Sequence, residues 1–127
     1  MIKANLPCPT EGEEQATLFR WAAMLSGRYP ELKLLFHIPN GGKRTKSEAA
    51  RFQREGVKPG VPDLFLPVAR DGYHGLFIEM KRREGGRVSK EQKRWQTELT
   101  LQGYCAVVCR GWEDAMWQIS NYLDIDM

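Results

Sequence analysis

The sequence predicts an α/β fold, a small mixed β-sheet flanked by α-helices. Three observations lead there. Capped segments with apolar residues at helical spacing alternate with short, nearly continuous apolar runs. The order strand, helix, strand from Leu76 to Cys109 requires a crossover and so a parallel pair. The short connection "RDGYHG" before Leu76 predicts an antiparallel hairpin, which makes the sheet mixed.

Thr10 and Glu13 have capping-box spacing, and Leu18, Trp21, Ala22 and Leu25 follow at helical intervals. This predicts a first helix from about residue 11 to Ser26, stopped by Gly27 and Pro30. "LKLLFHI" (32–38) reads as a strand and "PNGGKR" as the turn after it. Ser47 is placed to cap a short helix that reaches Glu55 and stops at Gly56. The Pro/Gly-punctuated loop "VKPGVPD" leads into a strand "LFLPVA" (64–69), and the hairpin continues into "LFIEMK". Ser89 and Gln92 form a second capping-box pair, with Trp95 and Leu99 on the apolar side of that helix and Gly103 closing it. "YCAVVC" (104–109) is a continuous apolar strand, and a last helix over about 112–123 carries Trp112, Ala115, Met116 and Ile119 on one face. The tryptophans sit at amphipathic spacings and read as core.

A length of 127 residues fits one domain, 1–127, and 42% hydrophobic with 28% charged residues excludes wholesale disorder. No apolar run is long enough to cross a bilayer, and "MIKANLPCPTEGEE" lacks the apolar core of a signal peptide, so a cytoplasmic protein is expected. Cys8, Cys105 and Cys109 show no CxxC pairing and read as reduced thiols. The net charge of +3 hides a concentration: residues 81–94 hold seven basic and two acidic side chains. Lys43, Arg44 and Lys46 form a second basic cluster after Gly41-Gly42. Such clusters match a phosphate backbone, although a solvated face explains them equally.

The stretch "GLFIEMKRR" (75–83) places Glu79 and Lys81 on one face of an otherwise apolar strand. A hairpin of this length can bring Asp63, at the start of the preceding strand, beside Glu79. Two carboxylates in a poorly solvated place repel. A divalent cation such as Mg²⁺ removes that conflict, since it takes one or two carboxylates together with other hard oxygens. The backbone carbonyl of Met80 is a further oxygen of this kind. Lys81 can then orient a water or offset charge on a phosphate, an arrangement suited to phosphodiester hydrolysis. Each residue also has a structural alternative. Asp63 can shape the turn after Pro62, Glu79 and Lys81 can be an edge-strand ion pair, and Gln92 can serve only its cap.

"VPD" and "EMK", with fifteen residues between Asp63 and Glu79, match the PD-(D/E)xK pattern of metal-dependent nucleases. Together, "GVKPGVPDLFL", "GLFIEMKRREGGRVSKEQKRW" and "GYCAVVCRGWEDA" resemble the VRR-NUC family over roughly residues 10–120. The resemblance implies a restriction-endonuclease-like core and an Mg²⁺- or Mn²⁺-dependent endodeoxyribonuclease of bacterial or phage type. It implies action on branched DNA such as Holliday junctions or flaps, in DNA repair or phage biology. Asp63 and Glu79 become metal-binding carboxylates, Lys81 the catalytic lysine and Gln92 a residue lining the site. The first helix contributes an acid to the metal, Glu14 by its position, with Glu11 in reserve. Lys43, Arg44, Lys46, Arg82, Arg83, Arg87 and Lys90 are the candidate phosphate contacts. Symmetric cutting of a four-way junction requires two active sites, hence a homodimer or higher homo-oligomer, and Trp112 and Trp117 leave room for one. The rival reading is a non-catalytic nucleic-acid-binding module of the same fold.

Overall fold

Strand β3 (Leu76–Lys81) is the apolar centre of a four-stranded sheet of order β1-β2-β3-β4. In this computed structural model, residues 7–39 and 45–126 are described. The other elements are α1 (Glu11–Leu25), β1 (Phe36–His37), α2 (Lys46–Arg54), β2 (Leu64–Leu66), α3 (Lys90–Leu101), β4 (Cys105–Arg110) and α4 (Trp112–Leu123). β1 and β2 pair antiparallel, as do β2 and β3, while β3 and β4 are parallel. The mixed α/β architecture is therefore the one the sequence predicts. No helix among the described residues is long and apolar enough to cross a membrane.

Alternation along the strands decides which side chains form the core. Leu64, Leu66, Leu76, Ile78, Met80 and Cys109 are all 1% exposed or less, and α1 and α4 cover them with Leu18, Ala22, Ala115 and Ile119. Each fully buried aliphatic side chain of this kind contributes roughly 1.5–3 kcal/mol. On the opposite face Phe65 stacks on Phe77 with ring centroids 4.1 Å apart, and Tyr104 meets Phe77 edge-on at 5.2 Å.

Three helices start on capping boxes: Thr10 with Glu13, Thr45 with Glu48, and Ser89 with Gln92. The cap of α2 is thus Thr45, two residues before the expected Ser47, because only Thr45 has a glutamate three residues on. The hairpin turn is a two-residue loop of Asp71 and Gly72, both at positive φ (50° and 85°), closed by reciprocal Arg70–Tyr73 backbone bonds.

The structure corrects two strands. The first three residues of "LKLLFHI" belong to a 3₁₀-helical turn, Pro30–Leu34, and only Phe36 and His37 are strand. Pro30 fixes a helical φ at the start, and burying Leu32 with Leu35 follows a spacing of three rather than two. The strand expected over 64–69 ends at Leu66, because Pro67 has no N–H for the ladder. Trp117 is also no core residue: it lies 53% exposed, whereas Trp21 and Trp112 pack partly against the core. All three cysteines are free, and burial, aided by Asp114, pushes the Cys109 thiol up to about 12.

The loop before β2 is pinned to α3. The Trp95 indole N–H donates to the Pro59 carbonyl at 3.1 Å. Gly60, at φ +91°, approaches so closely that a Cβ would lie 2.6 Å from the Glu91 backbone. Gly60→Ala therefore meets both backbone strain and an immovable neighbour. Urea denaturation should show a loss of about 2–3 kcal/mol; a loss below 0.5 kcal/mol, as at ordinary surface positions, would mean that the loop moves away freely.

Candidate active site

The β2–β3 register of Leu64 with Ile78, carried one residue further, sets Asp63 opposite Glu79. The Asp63 carboxylate accepts the Met80 N–H at 2.7 Å. The Asp63 carbonyl accepts the Ile38 N–H at 2.7 Å and lies 2.9 Å from His37 Nδ1, which ties the position to β1. One step further the same register sets Pro62 opposite Met80, and proline has no N–H to return to the Met80 carbonyl. That carbonyl is therefore at the strand end beside the two acids.

Glu79 is 2% and Lys81 6% exposed, an unusual burial for charged residues. Glu79 Oε2 accepts a hydrogen bond from Gln92 Nε2 at 3.1 Å, and Lys81 Nζ stands 3.7 Å from the same oxygen. Glu79 Oε1 is buried without a hydrogen-bond partner. The Glu79 carboxyl is raised to about 8, chiefly by burial and then by the neighbouring Asp63, with a small addition from the Glu11 charge and opposition from Lys81. Two carboxylates at one strand end, one with an orphaned buried oxygen, fit a hard divalent cation. Among the described residues no three His, Cys, Asp or Glu gather into a ligand cluster, so the fit rests on this pair with the Met80 carbonyl.

Gln92 carries both of its readings at once. Its Oε1 accepts from the Ser89 N–H at 2.8 Å as the capping-box partner, while Nε2 holds Glu79. Glu14 differs from expectation. It is buried, but Arg83 donates to it through Nε at 2.6 Å and Nη2 at 3.2 Å, and the Trp112 N–H reaches it at 3.3 Å. Glu14 is thus an ion-pair partner within the fold. Glu11, the reserve, is the first-helix acid whose charge acts on Glu79.

Two candidate phosphate contacts have other partners. Arg83 bridges Glu14 and Glu113, which raises its already high pKa. Arg82 donates to the carbonyls of Pro9 and Cys8 at 3.4 and 3.2 Å. Lys46, Arg87 and Lys90 are exposed. Lys43 and Arg44 lie outside the described residues. The sequence reading missed Arg110, whose guanidinium binds the carbonyls of Arg82, Gly85 and Gly86 at 2.6–3.1 Å and so shapes the loop after Lys81. Its signal was weak: one arginine ending an apolar strand, opposite two glycines that leave their carbonyls free to turn inward.

The profile of the VRR-NUC domain matches residues 10–113, and the chain belongs to the VRR-NUC family, whose members are generally nucleases that bind DNA. A solved structure described as a VRR_NUC domain protein is 35% identical and superposes with a TM-score of 0.78, covering 94% of this chain and 93% of that one. A search of curated proteins finds no match.

The Glu79 carboxyl, raised from the ordinary 4.5 to about 8, contributes stability that is fully present below about pH 4.5 and is lost as the pH rises to about 8. In chelator, the Tm from differential scanning calorimetry should fall across this window, and the fall should flatten in Glu79→Gln. Mn²⁺ should raise Tm more at pH 8 than at pH 6, because at the lower pH it must displace a proton. Parallel Tm–pH curves for wild type and Glu79→Gln would remove Glu79 as the titrating group.

Proposed function

We propose that the protein is an Mg²⁺- or Mn²⁺-dependent endonuclease that hydrolyses phosphodiester bonds in branched DNA, such as four-way junctions or flaps. The observation that carries this reading is the half-buried Asp63 set opposite the buried Glu79, whose Oε1 has no hydrogen-bond partner, with the buried Lys81 alongside. Nucleic-acid binding alone has no use for a buried carboxylate held against a second one. A divalent cation at this position supplies a Lewis acid for the phosphate and its attacking water.

Asp63 and Glu79 would hold the cation with the Met80 carbonyl, and Glu11 adds negative charge to the site. Gln92 fixes the Glu79 carboxylate through Oε2, leaving Oε1 to act as ligand. Lys81 positions the attacking water or offsets the negative charge that builds on the phosphate. Lys46, Arg87 and Lys90, with Lys43 and Arg44, grip phosphates without reading bases. Recognition by shape suits a chain in which most of the surface is already used for folding. Two copies related by a two-fold axis would cut a four-way junction symmetrically.

Labelled linear duplex, 5′ flap and four-way junction, incubated with Mg²⁺, Mn²⁺ or chelator, provide the test. Wild type should cut the branched substrates only with metal, and Lys81→Ala should lower kcat by roughly 10²–10³-fold while DNA binding persists. Tight binding with no cutting in either metal would instead leave the non-catalytic binding module.

A further inference from the structure

We infer that the cleft between the 58–60 loop and α3 holds one unpaired nucleotide base next to the scissile phosphate, an inference that rests on the branched-DNA reading above. The cleft is an open cavity of about 340 Å³ lined by Lys58, Pro59, Glu91, Arg94, Trp95 and Glu98. Glu91, Arg94, Trp95 and Glu98 recur at i, i+3, i+4 and i+7, so one stripe of α3 forms its wall. Trp95 is half-buried, and its indole N–H, the ring's only polar group, is taken by the Pro59 carbonyl at 3.1 Å. The ring is therefore held at a fixed angle and has only apolar surface to offer the cleft. The tight contact of Gly60 with Glu91 holds the loop in place as the facing wall.

Charge decides what such a cleft accepts. Lys58 and Arg94 oppose Glu91 and Glu98, so the lining has no net charge and attracts no phosphate. The edge of a nucleobase presents donors and acceptors together and can pair with both kinds of side chain. Its flat face supplies the partner for a fixed indole, as in single-strand recognition by aromatic platforms. Position agrees with this. Gln92, in the same turn of α3, touches Glu79, and Asp63 follows Gly60 by three residues. The exposed Lys90, four residues before Arg94 on the same helix, borders the cleft and takes a phosphate flanking that base. A fully paired duplex has no base to give, whereas a flap or an open branch point does.

The experiment uses a 5′ flap with 2-aminopurine as its first unpaired base, and the matched duplex, both titrated in chelator. Wild type should quench the 2-aminopurine of the flap and prefer flap to duplex by anisotropy. Trp95→Leu should remove the quench and lower the flap-to-duplex affinity ratio about ten-fold, whereas Trp95→Phe, which keeps a ring, should retain most of both. Circular dichroism and Tm check that each variant is folded, and the wild-type quench needs no variant at all. Absence of that quench, an unchanged ratio in Trp95→Leu, or equal losses in Leu and Phe variants would overturn the base site. Metal-dependent cutting of the flap without quenching would reject this inference and leave the nuclease standing. Quenching without cutting under any metal would support the base site and reject the nuclease.

Discussion

The register of β2 against β3 is the constraint on which the rest depends. Leu64 and Leu66 must face the core with Leu76 and Ile78, and a slip of one residue would turn that whole set outward. The stacked Phe65 and Phe77 make the same demand on the opposite face. The Asp71-Gly72 turn closes the connection, with three residues (67–69) on the β2 side opposite two (74–75) on the β3 side. Once these apolar pairs are in place, Asp63 has no choice but to stand opposite Glu79. Hydrophobic burial thus enforces an electrostatically unfavourable contact, and it can do so because several fully buried aliphatic side chains outweigh one repulsive pair.

The two buried glutamates show how differently one fold can treat a carboxylate. Glu14 is fully accommodated: a bidentate arginine and a backbone amide satisfy it, and its neutralisation joins α1, the loop after β3 and the start of α4. Glu79 receives one amide hydrogen bond and a lysine at 3.7 Å, and one oxygen is left with nothing. A buried acid that is satisfied is architecture, whereas a buried acid left short of partners is a candidate functional position. Deleting Arg83 would reverse the first case, stranding a charge at 2% exposure in the interior.

Much of this was legible in the sequence, because the informative signals were local. The capping boxes, the Asp71-Gly72 turn and the alternation in Leu76–Lys81 each act over a few residues, and together they gave the mixed sheet and the Asp63–Glu79–Lys81 group. The apolar run at residues 32–38 was ambiguous by nature, since Leu32 and Leu35 satisfy a turn of period three as well as a strand. Glu14 and Glu11 sit three residues apart on one helix, so only the packing of α1 could separate them. Arg82 and Arg83 read as free charge because their partners, Cys8, Pro9, Glu14 and Glu113, lie far away in the chain. Long-range pairing of a surface charge leaves no mark on its neighbours in sequence.

The double engagement of Gln92 has a consequence for the order of assembly. Its carbonyl oxygen reaches Ser89 only when the first turn of α3 has formed, and its amide reaches Glu79 only when that turn is docked on the sheet. The cap of α3, its seat on the sheet and the orientation of the Glu79 carboxylate therefore share one side chain. A chain still emerging from the ribosome, or one partly unravelled, carries all the acidic residues yet has no aligned site. In a family whose members are generally nucleases, that coupling ties the arrangement around Glu79 to the completed fold.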